Sequence, residues 1–267
     1  RIAQVDIGEK DNIQIVTAAE NVSEEDKVPI SLPGAVLANG LKIKKSKLRG
    51  IESNGMMCSA VECGLTDTSP GVWVLPENAP IGDNFIDYAQ LVDTILDVCI
   101  LPNRGDVMSL NGLAREVSAL YETPIKFQVP SQSISKEETA IKCDIDTKQC
   151  SFYRAQRMGG LTNRQSPVIW QTRLYYCGQR PLSWMIDVTN IVMIETGQPL
   201  HAFDAKKIES IRVEKIKKDQ KVTLLNEKDY QINDMTVIKV NNDIAAVAGV
   251  MGADAYSVSE ATSEIIL

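Results

Sequence analysis

The apolar side chains of the first 85 residues come in short runs, residues 2–5, 13–17, 28–30 and 41–43, separated by polar, Gly and Pro residues. That spacing predicts about five short strands curled into a small barrel. The pattern changes near Tyr88. Leu91, Val92, Ile95 and Leu96 fall at helical spacing within 88–96, and Leu110, Leu113, Ala114, Val117 and Leu120 repeat it within 108–121. Pro102 and Gly105 punctuate the joint, and Asp106 is expected to cap the second helix by accepting from its free backbone N–H groups.

Residues 128–139 are rich in Ser, Gln, Glu and Pro and read as a linker. Beyond them the two periodicities mix. Residues 140–145 and 151–158 read as extended, 167–177 as a helix opened by Pro167 and stopped at Gly178. Further strands are expected at 211–216, 222–225, 236–240 and 244–250. The predicted architecture is multidomain α+β: an OB-like β-barrel over 1–87, a short helical segment over 88–127, the linker, and a mixed α+β domain over 140–267.

Composition restricts the function classes. With 44% hydrophobic and 24% charged residues the chain has an ordinary globular balance, and its 267 residues suit two domains or one large one. No apolar stretch approaches the ~20 residues of a membrane-spanning helix, and nothing resembles a secretory leader. The chain opens without Met inside a strand-like pattern and closes on Ile265-Ile266-Leu267, so both ends are expected to be cut from a longer protein. Six irregularly spaced cysteines and a single histidine form no C-x-x-C pair or close ligand set, so neither a disulfide framework nor a zinc site is expected, and a reducing cytoplasm fits.

The 28 Lys and Arg against 35 Asp and Glu give a net charge of −7, so nucleic-acid contact must be local. Lys42, Lys44, Lys45, Lys47 and Arg49 are the local candidate. Five positive charges so close together suit phosphate contacts, and they equally suit a solvated strand edge guarded by lysines. No phosphate loop, dinucleotide fingerprint or nucleophile elbow occurs, so nucleotide chemistry has no visible seat.

The lone His201 gains meaning from its surroundings. Polar Thr189 and Asn190 interrupt the apolar run 184–194, and buried hydroxyl and amide groups without partners cost ~1–3 kcal/mol each, so they mark either a polar pocket or a locally satisfied backbone. The stretch Asp187-Val188-Thr189-Asn190-Ile191-Val192-Met193-Ile194-Glu195-Thr196-Gly197-Gln198-Pro199-Leu200-His201-Ala202-Phe203-Asp204 resembles the editing-domain hallmark D-V-T-N-Y-V-x-L-E-x-G-Q-P-x-H-A-F-D of bacterial phenylalanyl-tRNA synthetase β subunits. Three more blocks resemble that family in the same order. They are Leu48-Arg49-Gly50-Ile51-Glu52-Ser53-Asn54-Gly55-Met56-Met57-Cys58-Ser59, Leu101-Pro102-Asn103-Arg104-Gly105-Asp106 with Gly112-Leu113-Ala114-Arg115-Glu116, and Ala248-Gly249-Val250-Met251-Gly252. Gly252-Ala253-Asp254 departs from the family, which usually has a second Gly there.

The resemblance implies a β subunit that binds tRNA(Phe) and hydrolyses mischarged tyrosyl-tRNA, within an (αβ)₂ heterotetramer whose α subunit attaches phenylalanine using ATP and Mg²⁺. It implies an editing pocket lined by Thr189, Asn190 and His201, with Ala248 and Gly249 where the tyrosine side chain is admitted, and no metal or cofactor held by this segment. It also implies a pocket glutamate one position beyond Leu267. The alternative is a non-catalytic tRNA-binding or assembly module working through the barrel and residues 42–49.

Overall fold

A computed structural model describes residues 1–126 and 141–267; the expected linker lies outside the described residues. The chain divides into two compact units, the first made of Arg1–Val98 and Gln165–Leu182, the second of Cys99–Arg164 and Ser183–Leu267. Both mix short strands with few helices. The helices are α1 (Phe85–Tyr88), α2 (Leu110–Tyr121), α3 (Val168–Tyr176) and α4 (Trp184–Thr196). Among the described residues no helix is long and apolar enough to cross a membrane.

The first unit contains β1 (Ile2–Val5), β2 (Ile13–Val16), β3 (Ile30–Ser31), β4 (Ser46–Leu48), β5 (Ile51–Ser53) and β6 (Met56–Met57). They pair antiparallel as β1 with β2, β3 with β6 and β4 with β5, and among the described residues they form three separate ribbons with no closed ladder. Strand β2 ties two ribbons together, because Val16 N–H donates to Ser53 Oγ and Asn54 N–H to the Gln14 carbonyl. Residues 41–43 contribute only an isolated bridge between Val36 and Lys42, inside a turn that Gly34 and Gly40 shape with positive φ. The core gathers Ala60, Trp73, Leu75, Ala79 and Ala89 around Val168 of α3. Trp73 meets Phe85 and Tyr175 edge to face at 5.3 and 5.8 Å, and its indole N–H donates to buried Gln171 Oε1 at 2.8 Å.

The helix expected over 88–96 is not formed. Its only helical turn is α1, which ends with Gln90 at φ 51° and Leu91 N–H bonded back to the Ile86 carbonyl, a terminating geometry. Val92 and Leu96 are exposed. Their spacing suits a helix, but among the described residues only Leu91 of that face is packed, and packing rather than spacing stabilises short helices.

The second unit holds β7 (Lys142–Asp146), β8 (Arg157–Met158), β9 (Phe203–Asp204), β10 (Ser210–Lys215), β11 (Gln220–Thr223), β12 (Asp229–Ile232), β13 (Thr236–Val240), β14 (Asp243–Val247), β15 (Met251–Gly252) and β16 (Ile265–Ile266). Five form a sheet in the order β15-β14-β13-β10-β7, antiparallel except for the parallel β10–β7 edge. A three-stranded sheet β8-β16-β9 and the hairpin β11–β12 complete it. Of residues 151–158 only Arg157 and Met158 enter a sheet, and β12 answers no expected strand. Phe203, Ile211, Val240, Ala245 and Ile266 share one buried cluster, which joins the three-stranded sheet to the five-stranded one.

Helix α2 packs on α4. Its cap is Ser109, whose side chain accepts from Gly112 N–H at 3.0 Å, not Asp106. Asp106 sits one turn earlier in a 3₁₀ turn, where Arg104 engages its carboxylate and holds its pKa below the usual range. Gly112 is buried, and a Cβ there would collide with the Asp106 carbonyl and lie 2.8 Å from Val107 Cα. Gly112→Ala is therefore expected to lower the unfolding free energy by about 1–3 kcal/mol despite its better helix propensity. Urea unfolding followed by circular dichroism checks this; an unchanged or raised midpoint would contradict the close approach.

Candidate functional site

The site in the second unit starts from α4. The first turn contains Asp187, fully buried where the free N–H groups of a helix start favour negative charge. Thr189 is buried too, and its hydroxyl donates to the Ile186 carbonyl at 2.7 Å, so it is satisfied by its own helix. Asn190 follows, half-buried. Gly197 ends the helix at φ 79°, and the chain turns through Pro199 and Leu200 to place His201 just before β9. Asp204 fixes that approach: its carboxylate accepts from Lys206 N–H at 3.0 Å and from the Thr262 hydroxyl at 2.6 Å.

His201 is packed rather than solvated. Its ring centroid lies 4.4 Å from that of Phe203. Its Nε2 is buried without a hydrogen-bond partner. Burial penalises the imidazolium and pushes the pKa below the usual 6.5. The ring is neutral at pH 7 and presents one acceptor nitrogen.

Gly252 forms the opposing face. A Cβ at this position would collide with His201 Cε1 and lie 2.9 Å from Nε2 and 3.0 Å from Leu225 Cδ1. The β14–β15 register sets Gly252 opposite Ala246, and its carbonyl accepts from Leu225 N–H at 3.0 Å. Ala248 and Gly249 occupy the turn between these strands. Ala248 is half-buried and donates its N–H to the Thr236 carbonyl at 3.0 Å, whereas Gly249 is exposed at φ 72° with open space where a Cβ would stand. The glycine that touches the histidine is thus Gly252, three residues beyond Gly249. Reading the sequence could reach the Gly-x-x-Gly spacing, but the contact depends on how the hairpin folds over the ring.

In the first unit, Lys42, Lys44, Lys45, Lys47 and Arg49 are all exposed, while the intervening Ile43 is buried with Leu37 and Cys58. Lys47 pairs with Glu52 across the β4–β5 hairpin at 3.3 Å, an exposed pair of little energetic weight. Arg49 sits at the hairpin turn with φ 52°. All six cysteines are free, and burial pushes Cys63 up to about 12, so its thiol is inert near neutrality. Among the described residues no group of His, Cys, Asp and Glu is arranged to hold a metal ion.

These features fall inside two recognised modules. A putative tRNA binding domain matches residues 1–84, and a B3/4 domain matches residues 149–267. The chain thus joins a domain of the tRNA-binding type to a B3/4 domain. The relatives it matches are phenylalanine–tRNA ligase β subunits. It is 39% identical to that subunit of Clostridium acetobutylicum over 99% of this chain and 34% of that protein. It is 38% identical to that of Streptococcus pneumoniae, over 100% of this chain and 34% of that protein. The chain therefore spans about a third of the length of these relatives. A solved N-terminal fragment of the phenylalanyl-tRNA synthetase β subunit from Pyrococcus horikoshii is similar at a TM-score of 0.36 and 14% identity, over 61% of this chain and 51% of that one.

His201 is the only histidine, so its ring signals in a proton NMR titration are unambiguous. The expected midpoint lies below 6.5. Because the folded state disfavours the imidazolium, this group's contribution to stability is complete above about pH 6.5 and is lost as the pH falls below it. Gly252→Ala is expected to push the ring outward and move the midpoint up towards 6.5. A midpoint at or above 6.5 in the unaltered chain would contradict the burial described.

Proposed function

We propose that this chain is the tRNA-binding and editing portion of a phenylalanine–tRNA ligase β subunit, hydrolysing tyrosyl-tRNA(Phe) formed in error. The observation that carries the reading is the buried Nε2 of His201, without a protein hydrogen-bond partner and held against Gly252 inside the B3/4 match. A buried polar atom without a partner is rare in a folded protein, and in this reading the substrate or its attacking water completes it.

Editing answers a discrimination problem. A hydrophobic pocket rejects an added hydroxyl poorly, so a second site must remove what the first admits. In this reading Thr189, Asn190 and His201 line the pocket and receive the terminal adenosine of the tRNA, and Ala248 and Gly249 leave room for the tyrosine side chain. Water attacks the ester carbonyl, the ribose oxygen leaves with a proton, and tyrosine and free tRNA are released. His201 Nε2 accepts a hydrogen bond from that water or from the terminal ribose, which orients the attack. The ladder supports this placement. Ile265 lies opposite Asp204 and Ile266 opposite Phe203, so β16 runs alongside the segment that carries His201.

Residues 1–87 act as the tRNA-binding module, their short ribbons forming part of an OB-type barrel. Lys42, Lys44, Lys45, Lys47 and Arg49 contact phosphates, positioning the tRNA without reading its sequence. Residues 88–127 form the helical segment and 140–267 the editing domain. The partners are tRNA(Phe) and the α subunit of an (αβ)₂ heterotetramer in the cytoplasm. ATP and Mg²⁺ serve the ligation in the α subunit. Among the described residues no group of His, Cys, Asp and Glu is arranged to hold the ion.

The test uses the full-length subunit assembled with its α partner. His201→Ala is expected to slow tyrosyl-tRNA hydrolysis by about 10²-fold or more while phenylalanine charging continues. Full hydrolysis by the variant would remove His201 from the mechanism. Replacing Lys42, Lys44, Lys45 and Lys47 by Gln is expected to weaken tRNA binding and reduce the slope of log affinity against log salt by about 0.7–0.9 for each phosphate that is no longer neutralised. An unchanged slope would reduce the cluster to a guarded strand edge.

A further inference from the structure

The β11–β12 hairpin reaches the His201 site through its tip. Beyond β11 the chain runs along β15: Leu224 bridges to Ala253, and Leu225 N–H donates to the Gly252 carbonyl. The place of a Cβ on Gly252 lies 2.9 Å from His201 Nε2 and 3.0 Å from Leu225 Cδ1, so the leucine methyl stands within a side chain's width of that nitrogen. Leu224 is buried in the core, whereas Leu225 is 47% exposed. A half-exposed leucine is ordinary by itself. Its place beside a buried nitrogen without a protein hydrogen-bond partner is what gives it meaning.

The rest of the tip is fixed by its own bonds. Leu224 N–H donates to the Lys228 carbonyl and Glu227 N–H to the Leu224 carbonyl, with Glu227 at φ 60°. Asn226 Oδ1 accepts from Lys228 N–H at 3.3 Å, and its Nδ2 donates to the Tyr230 hydroxyl at 2.8 Å. Tyr230 pairs with Val222 and shares its face of the hairpin, yet its side chain stays 38% exposed. Asp229 is committed to Lys221 at 2.6 Å and to the Thr223 hydroxyl at 2.7 Å. Lys228 and Glu227 are exposed and, among the described residues, in no ion pair.

We propose that this tip grips the 3′-terminal nucleotides of the tRNA beside His201, with Leu225 packing on the terminal ribose, Tyr230 presenting its ring to a base, and Lys228 meeting the adjoining phosphate. A single-stranded end is recognised by that combination, since every base has a face that stacks and every link carries a negative charge. The inference rests on the editing reading and adds to it a part of the site that holds the substrate without acting on its ester. Glu227 opposes the phosphate from the residue next to Lys228, so the two side chains act with opposite sign.

Hydrolysis of tyrosyl-tRNA by the full-length subunit assembled with its α partner, followed at several salt concentrations, tests this. Lys228→Gln is expected to raise KM by about threefold to tenfold while the rate at saturation stays within about twofold. It is also expected to reduce the slope of log KM against log salt by about 0.7. Glu227→Gln is expected to lower KM by about twofold. Tyr230→Ala is expected to raise KM by about fivefold or more, and Tyr230→Phe, which keeps the ring, to restore most of that loss. An unchanged KM and salt slope for Lys228→Gln, shifts of the same sign for Lys228→Gln and Glu227→Gln, or a Tyr230→Phe enzyme as impaired as Tyr230→Ala would each overturn the inference. His201→Ala in the same assay separates the two readings. If it abolishes hydrolysis while the hairpin variants match the unaltered enzyme, this inference alone falls; if it hydrolyses at the full rate, the editing reading falls and this inference with it.

Discussion

Phe203 of β9 and Ile266 of β16 face each other across an antiparallel pair, and both are essentially inaccessible to solvent. They share a cluster with Ile211, Val240 and Ala245 of the five-stranded sheet, so this contact is where the two sheets of the second unit meet. Burying two such side chains is worth about 1.5–3 kcal/mol each by area transfer. Its consequence extends beyond stability. Phe203 lies two residues after His201 and its ring also supports the imidazole, so the interaction that joins the sheets also sets the position of the lone histidine.

The histidine is then held by shape. Phe203 touches one side of the ring and Gly252 another, and Leu225 closes in on the same glycine. Gly252 does not need its missing side chain for an unusual backbone conformation. It needs it because imidazole atoms occupy the place where a Cβ would stand. Burial among such groups keeps the ring neutral, since desolvation disfavours the imidazolium.

The first unit relies on a different device. Its strands are two to four residues long and pair only as ribbons, so little of its stability comes from a continuous ladder. Trp73 compensates, with two aromatic neighbours and a buried amide partner in α3, more than ninety residues away in sequence. That remote helix was legible as a helix from Pro167 and Gly178, but nothing in its spacing pointed to the residues it covers. The reverse failure occurs at 88–96, where helical spacing is present and the structure leaves Val92 and Leu96 in solvent.

Local rules were enough for β1, β2, β13, α2 and α3, because each carries its own periodicity and its own stop signal, such as the left-handed Gly178 after α3. They were also enough to single out His201 and its motif and to recognise the family. They were not enough for the Asp106 cap, which went to Ser109 because the helix starts at Leu110 and Asp106 lies in the 3₁₀ turn before it, paired with Arg104. Nor did they reveal that Thr189 bonds within its own helix or that Gly252 rather than Gly249 meets the histidine. Periodicity, caps and turns act over a few residues and can be read in order along the chain. Which buried groups find partners, and which atoms crowd a glycine, is set by segments distant in sequence, and only the tertiary structure decides it.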